Sequence, residues 1–253
     1  MTSPNPQPIH HRVMFSDLAG CIAPHLITIQ GSEAQHLAKV KRARIGEMVG
    51  VLDGRGAMGI GEIAEITGSK QRPMIAIMLD RVEMIDPVWP RIQICCPAPK
   101  GDRLERMIDQ LTQIGVESWV PLITDRSERD PKAIRQDRLE RIINEALKQC
   151  IRARALVVHE PMTLTQAISP SDSIQTIVCD GSGESSLGPI EIDSTRIFIG
   201  PEGGWSGDER ARFIESNIPT RRIGIHVLRV ETAAVVAGSL ALSNAITPTP
   251  FGD

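Results

Sequence analysis

Apolar and polar positions alternate along the first third of the chain in short bursts: Arg12-Val13-Met14-Phe15, Leu26 to Ile29, Met48 to Leu52, Ile60 to Ile63 and Met74 to Leu79. Gly, Asp and Ser turns separate them, the pattern of half-buried strands in a small barrel. Only Ser32 to Arg42 breaks the rhythm, with apolar positions at helical spacing. From Arg91 the period changes. Strands at Ile92–Cys96, Trp119–Ile123, Ala155–Val158, Ile174–Asp180, Ile197–Ile199 and Ile223–Ile225 alternate with helices at Asp102–Gln113, Ile134–Cys150, Leu164–Ile168, from Ser206, and Glu231–Ala245. Strict alternation of this kind predicts an α/β fold with a parallel sheet covered on both faces.

Glu83 to Pro90 carries two prolines between these patterns, so it predicts a linker between a domain at 1–85 and a second at 91–250. The last helix, Thr232 to Leu242, is apolar almost all round and predicts burial on several sides, in one core or against another subunit. Residues 1–8 read as a tail.

Composition narrows the classes. The chain has 253 residues, 41% hydrophobic and 23% charged, with no apolar run of membrane-spanning length and no signal-peptide pattern at its start, so the cytoplasm is expected. Five cysteines form no CxxC pair and six histidines show no metal-ligand spacing; reduced thiols and no metal are expected. A net charge of −3 with 3% aromatics makes any nucleic-acid contact depend on a local cationic patch rather than on base stacking. One such patch is Lys39 to Arg44, where four cations also suit a solvated helix end.

Candidate chemistry lies near the C-terminus. The run Ile197-Phe198-Ile199 stops at Gly200-Pro201-Glu202-Gly203-Gly204, and Ser206 with Glu209 forms a capping box opening the next helix. Further on, Arg229-Val230-Glu231-Thr232 opens the last helix. Two strand-to-helix loops side by side at the carboxyl edge of a parallel sheet are where open α/β folds place ligands; two ordinary turns would give the same residue types. A third glycine loop, Asp180 to Gly183, would follow Cys179 at the same edge. By contrast, Gly54-Arg55-Gly56-Ala57-Met58-Gly59 matches GxGxxG but leads into another strand, so it predicts a hairpin turn and not a dinucleotide site.

The segment IGPEGGWSGDE followed by LRVETA resembles the signature of the SPOUT-class methyltransferases that methylate N3 of a uridine in 16S ribosomal RNA, the RsmE family. That resemblance implies a PUA-like N-terminal β-barrel and a C-terminal trefoil-knot domain. It also implies S-adenosylmethionine as cofactor, 16S rRNA in the small ribosomal subunit as partner, and a homodimer.

Carried over residue by residue, it implies cofactor contacts at Cys179, Asp180, Ile199, Gly200, Glu202, Gly203, Gly204, Ile223, Gly224, Val227, Leu228 and Thr232. It implies RNA contacts at Arg12, Arg42, Arg126 and Arg152. Arg229 is expected to stabilise the uridine anion, because arginine stays protonated and is unsuited to act as a base. Glu231 is the second catalytic candidate, alternatively a helix-start carboxylate, and His226 an outside candidate for proton transfer.

Gln110, Gln113 and Lys148 depart from the family pattern, where a structural ion pair would be lost, and His226 departs from it as well. A SPOUT enzyme acting on another RNA or atom, and an RNA-binding assembly factor without catalysis, are the alternatives.

Overall fold

The computed structural model describes residues 9, 11–127, 134–168, 173–190 and 192–243. The chain divides into two compact units: one runs to Asp86 and includes Leu147–Arg154, and the other comprises Pro87–Ala146 and the residues from Ala155.

In the first unit, strands β1 (His11–Met14), β2 (His25–Ile29), β3 (Met48–Leu52), β4 (Ala57–Gly68) and β5 (Pro73–Met84) form one sheet in the order β1-β3-β4-β5-β2. All neighbours are antiparallel except β1 and β3. Along β5, Pro73, Ile75, Ile77 and Leu79 are buried while Met74 and Met78 are exposed, the period of two that puts one face on a core. Helix α1 (Gly31–Gln35) continues into a π-type turn, His36–Val40, and adds Ala34 and Leu37 to that core. The helix expected at Ser32–Arg42 is therefore present, widened in its second half. It stops where Arg42 takes a left-handed conformation (φ 54°).

The GxGxxG stretch is the β3–β4 hairpin, as its context predicted. The Asp53 carboxylate accepts from the Arg55 and Ala57 amides at 2.7 and 2.9 Å and fixes the turn. Lys148 also belongs to this unit: its buried ammonium lies 2.8 Å from Glu33 Oε1, and Glu33 Oε2 accepts from the Met14 amide at 2.9 Å.

The second unit is built on β6 (Arg91–Cys96), β7 (Ser118–Ile123), β8 (Val157–Val158), β9 (Met162–Thr163), β10 (Gln175–Ser185), β11 (Ser194–Ile199) and β12 (Thr220–Arg222). They form a parallel sheet in the order β12-β10-β11-β6-β7-β8, with β9 paired to β7. The helices are α2 (Asp102–Ile114), α3 (Gln136–Cys150, whose residues from Leu147 are counted in the first unit), α4 (Leu164–Ala167), α5 (Gly207–Glu215) and α6 (Val230–Ala241).

Alternate residues of the strands serve opposite faces. Cys95, Val120, Val178 and Phe198 meet α4 and the Phe213 of α5 on one side, whereas α6 packs on β6, β11 and α2 on the other. The stripe Leu104, Met107, Ile108 and Leu111 buries α2 in that second layer. Among the described residues, no helix is long and apolar enough to cross a membrane.

Three expectations are corrected here. The last strand is not Ile223–Ile225 but Thr220–Arg222. It is an edge strand, so it reads as polar, and the apolar residues after it drew the prediction forward; Ile225 is 91% exposed. The loops after β11 and β12 share the carboxyl edge but are not neighbours, because β10 runs between their strands. Finally, Asp180 to Gly183 does not end β10. The strand resumes after it, and both Cys179 and Glu184 register with Arg221, so these four residues leave the ladder as a bulge. Helix α6 occupies Val230–Ala241 and ends short of the expected Ala245, with Leu242 and Ser243 in a turn; residues 244 and 245 lie outside the described residues.

Candidate active site

The Gly200–Trp205 loop is fastened from several directions. Its turn is closed by the Gly204 amide donating to the Pro201 carbonyl at 2.8 Å. Trp205 is buried beneath it, packed edge-on against Phe213 with ring centroids 4.9 Å apart, and its Nε1 donates to the Cys179 carbonyl at 3.3 Å. A Cβ at position 200 would stand 3.1 Å from the indole, so glycine is what lets the chain lie on the ring. Ser206 and Glu209 form the predicted capping box on α5.

The β7 exit loop braces the same segment. Arg126 donates to the Gly203 carbonyl at 2.7 Å, Ser206 Oγ to Asp125 at 2.6 Å, and the Asp125 amide to Glu209 at 3.0 Å. Arg126, expected on RNA, thus has a partner in the glycine loop.

The β10 bulge contributes Cys179 and Asp180. Burial pushes the Cys179 thiol up to about 12, so it stays neutral and unreactive. Burial would raise Asp180 too, but hydrogen bonds from the Ser182 amide and hydroxyl, and Arg210 at 2.8 Å, outweigh it and hold the carboxyl below its ordinary value. Gly183 crosses the backbone of Thr220 and Arg221 so closely that a Cβ would lie 2.6 Å from an amide nitrogen. Only glycine permits that crossing.

Beyond β12 the chain is open. Ile225 and Val227 are 91% and 97% exposed, Ile223, Gly224 and Leu228 half-buried, and Thr232 exposed. Arg229 is the exposed N-cap of α6, and its carbonyl accepts the first helical bond from Ala233 at 2.8 Å. Glu231 turns inward in the first turn of α6. One nitrogen of Arg103, from the start of α2, lies 3.9 Å from Glu231 Oε2 and 3.4 Å from Glu202 Oε1.

The residues named from the sequence therefore fall into three sets. Ile199, Gly200, Glu202, Gly203, Gly204, Cys179 and Asp180 share a connected edge with Arg126, and Arg103 joins Glu231 to it. Ile223, Gly224, Val227 and Leu228 lie in the loop after β12, and Thr232 in the first turn of α6. Arg12, Arg42 and Arg152 belong to the first unit: Arg12 on β1 lays its stem over Gly50, Arg42 is exposed, and Arg152 is half-buried.

Sequence reasoning missed Arg103, Arg210 and Asp125. Their signal was position: Arg103 follows Lys100-Gly101-Asp102 in the first turn after a parallel strand, where side chains reach the ligand edge.

Comparison with known proteins bears on the same segments. The family described as an RNA methyltransferase domain matches residues 87–242, more than half of the chain. The chain belongs to this RNA methyltransferase family. A second family, the RNA methyltransferase PUA domain, matches residues 29–71, and the N-terminal unit is PUA-like.

Among curated relatives of this RNA methyltransferase, the ribosomal RNA small subunit methyltransferase E of Synechocystis is 27% identical, covering 87% of this chain and 73% of its own. That of Bacillus subtilis is 26% identical, covering 83% and 87%. A probable rRNA methyltransferase from Porphyromonas gingivalis superposes with a TM-score of 0.76 at 25% identity, over 92% of this chain and 99% of its own. The methyltransferase E of Neisseria gonorrhoeae, solved bound to S-adenosylmethionine, has the same fold, with a TM-score of 0.78 at 21% identity over 92% and 97%.

Proposed function

We propose that this protein is an S-adenosylmethionine-dependent methyltransferase that methylates N3 of a uridine in the 16S rRNA of the small ribosomal subunit. The observation that carries this reading is the prebuilt glycine loop, pinned by Arg126 and Trp205, standing at one sheet edge with the Arg229–Glu231 start of α6. Relatives named small subunit methyltransferase E align over most of the chain.

The residues present suit the cofactor. Gly200 to Gly204 expose main chain for reading an adenine edge, and Gly224 and Leu228 are assigned to the same cofactor from the other loop. When bound, the cofactor supplies an activated methyl group on a sulfonium.

The protein's own task is to orient N3 and stabilise the negative charge that spreads to O2 and O4 as the imide proton leaves. Arg229 suits it: the side chain is exposed at the mouth of a helix N-terminus, where the dipole adds to its positive charge. Glu231 is turned toward Arg103 and braces the helix start on which Arg229 sits. Arg12, Arg42 and Arg152 on the PUA-like unit are assigned to RNA phosphates. Val235, Val236 and Leu240 on α6 are assigned to a homodimer face, and the cytoplasm is the compartment.

The test is to incubate the protein with labelled S-adenosylmethionine and small subunits from cells lacking it, and to digest the RNA to nucleosides. Label in 3-methyluridine is expected. Label in another nucleoside would move the target, and cofactor binding without transfer to any RNA would favour a non-catalytic assembly factor.

A further inference from the structure

Arg103, in the first turn of α2, links the glycine loop to the first turn of α6. A single guanidinium nitrogen serves Glu202 of the glycine loop and Glu231 of α6, at 3.4 and 3.9 Å. We infer that Arg103 is a positioning residue that locks the glycine loop to the start of α6, and with it the placement of Arg229, by holding these two carboxylates on one cation. The inference rests on the reading of this edge as the cofactor site.

Exposed ion pairs taken singly contribute little. Two features set this one apart. The Glu231 side chain is 14% exposed, and its Oε2 is buried with no hydrogen bond among the described residues, so Arg103 is the cation that offsets its charge. Further, two carboxylates share one guanidinium, so removing it leaves both without that cation, the largely buried Glu231 the more costly of the two. The glycine loop and the start of α6 would then lose their common tie. Arg103 is itself well anchored, since α2 packs along α6 and buries Leu104 beside it.

This geometry makes a signed prediction. Arg103→Ala should weaken S-adenosylmethionine binding, read by calorimetry, by about tenfold, and lower turnover on small subunits by at least about tenfold at saturating cofactor. The KM for the subunits should stay unchanged. Arg103→Lys, which keeps a point charge, should retain most of the binding. Adding Glu202→Gln to Arg103→Ala removes one of the two charges left without that cation and should recover about threefold of the lost affinity, although Glu202→Gln alone weakens binding.

The proposal is overturned if Arg103→Ala binds the cofactor like the wild type, if only the KM for subunits rises, or if the double variant shows no recovery. Should Arg103→Ala fail to fold, the comparison passes to Arg103→Lys alone and combined with Glu202→Gln. Absence of S-adenosylmethionine binding by the wild type would instead remove the cofactor-site reading itself, and the inference with it.

Discussion

The two loops that close the site are built on opposite plans. From Gly200 to Ser206 the chain is tied by a turn, a buried indole, a capping box and the Arg126 guanidinium. From Gly224 to Leu228, by contrast, it makes no hydrogen bond among the described residues, and Ile225 and Val227 stand in solvent. One loop is held by contacts within the protein. The other has its conformational entropy still to lose, so affinity should depend on the first and the free-energy cost of ordering on the second.

The largest break in this comparison should come from Arg229→Ala. Loss of the charge that offsets the uridine anion should cut turnover by about 10²–10³-fold, while S-adenosylmethionine affinity, measured by calorimetry, stays nearly unchanged because the glycine loop is untouched. Unchanged turnover would remove Arg229 from the chemistry.

Gly200→Val attacks the ordered loop directly by pressing a branched side chain into Trp205. It should lower cofactor affinity by at least about tenfold and reduce stability by about 1–3 kcal/mol, seen in thermal melts, as overpacking does. Retained affinity would mean that the loop can lift off the indole without consequence.

Arg126→Ala removes one charge-assisted bond to Gly203 from an exposed side chain, and a three- to tenfold rise in Kd for the cofactor is about what such a bond is worth. If subunit binding suffered instead, the side chain would belong to the RNA surface, as its family motif suggested.

Hydrogen exchange sharpens the contrast without mutation. The hydrogen-bonded amides of Gly204 and Ser206 should be protected in the free protein, whereas those at 224–228 should exchange quickly and slow by about tenfold or more when S-adenosylmethionine is added. Equal protection of both loops in the free protein would erase the distinction.

The smallest effect concerns Asp180. Its folded-state carboxyl is held below the ordinary value, so its contribution to stability is present above the unfolded pKa near 4 and is lost as pH falls through the lower folded value. Asp180→Asn should remove less than about 1 kcal/mol at neutral pH and flatten the acid limb of a stability curve below about pH 4.

How much of this was legible in the sequence depended on whether a signal was local. The Ser206–Glu209 capping box and the turn at Gly200–Gly204 each lie within a few residues, and both stand where their residue types predict. β12 was misplaced because an edge strand exposes one face and reads as Thr-Arg-Arg, while the apolar residues after it lie in the open loop. Lys148 is the clearest case of a non-local signal. Read against the family pattern it was the loss of an ion pair, yet it makes a buried one with Glu33, 115 positions away in the chain. The Arg103 link to Glu202 spans 99 positions and left no trace in any window.

The sheet order also bears on how the protein is made. β6 lies at the middle of the second unit, and its partner β11 begins about a hundred residues later. At synthesis rates of roughly 5–20 residues per second, one backbone edge of β6, a strand that carries Ile92, Ile94 and Cys95, waits about 5–20 seconds for the strand that pairs it. Pairing so distant in sequence is intrinsically slow to form. The nascent chain therefore presents an unpaired edge on an apolar strand throughout that interval, and a holding chaperone that binds extended hydrophobic segments would find its natural target there.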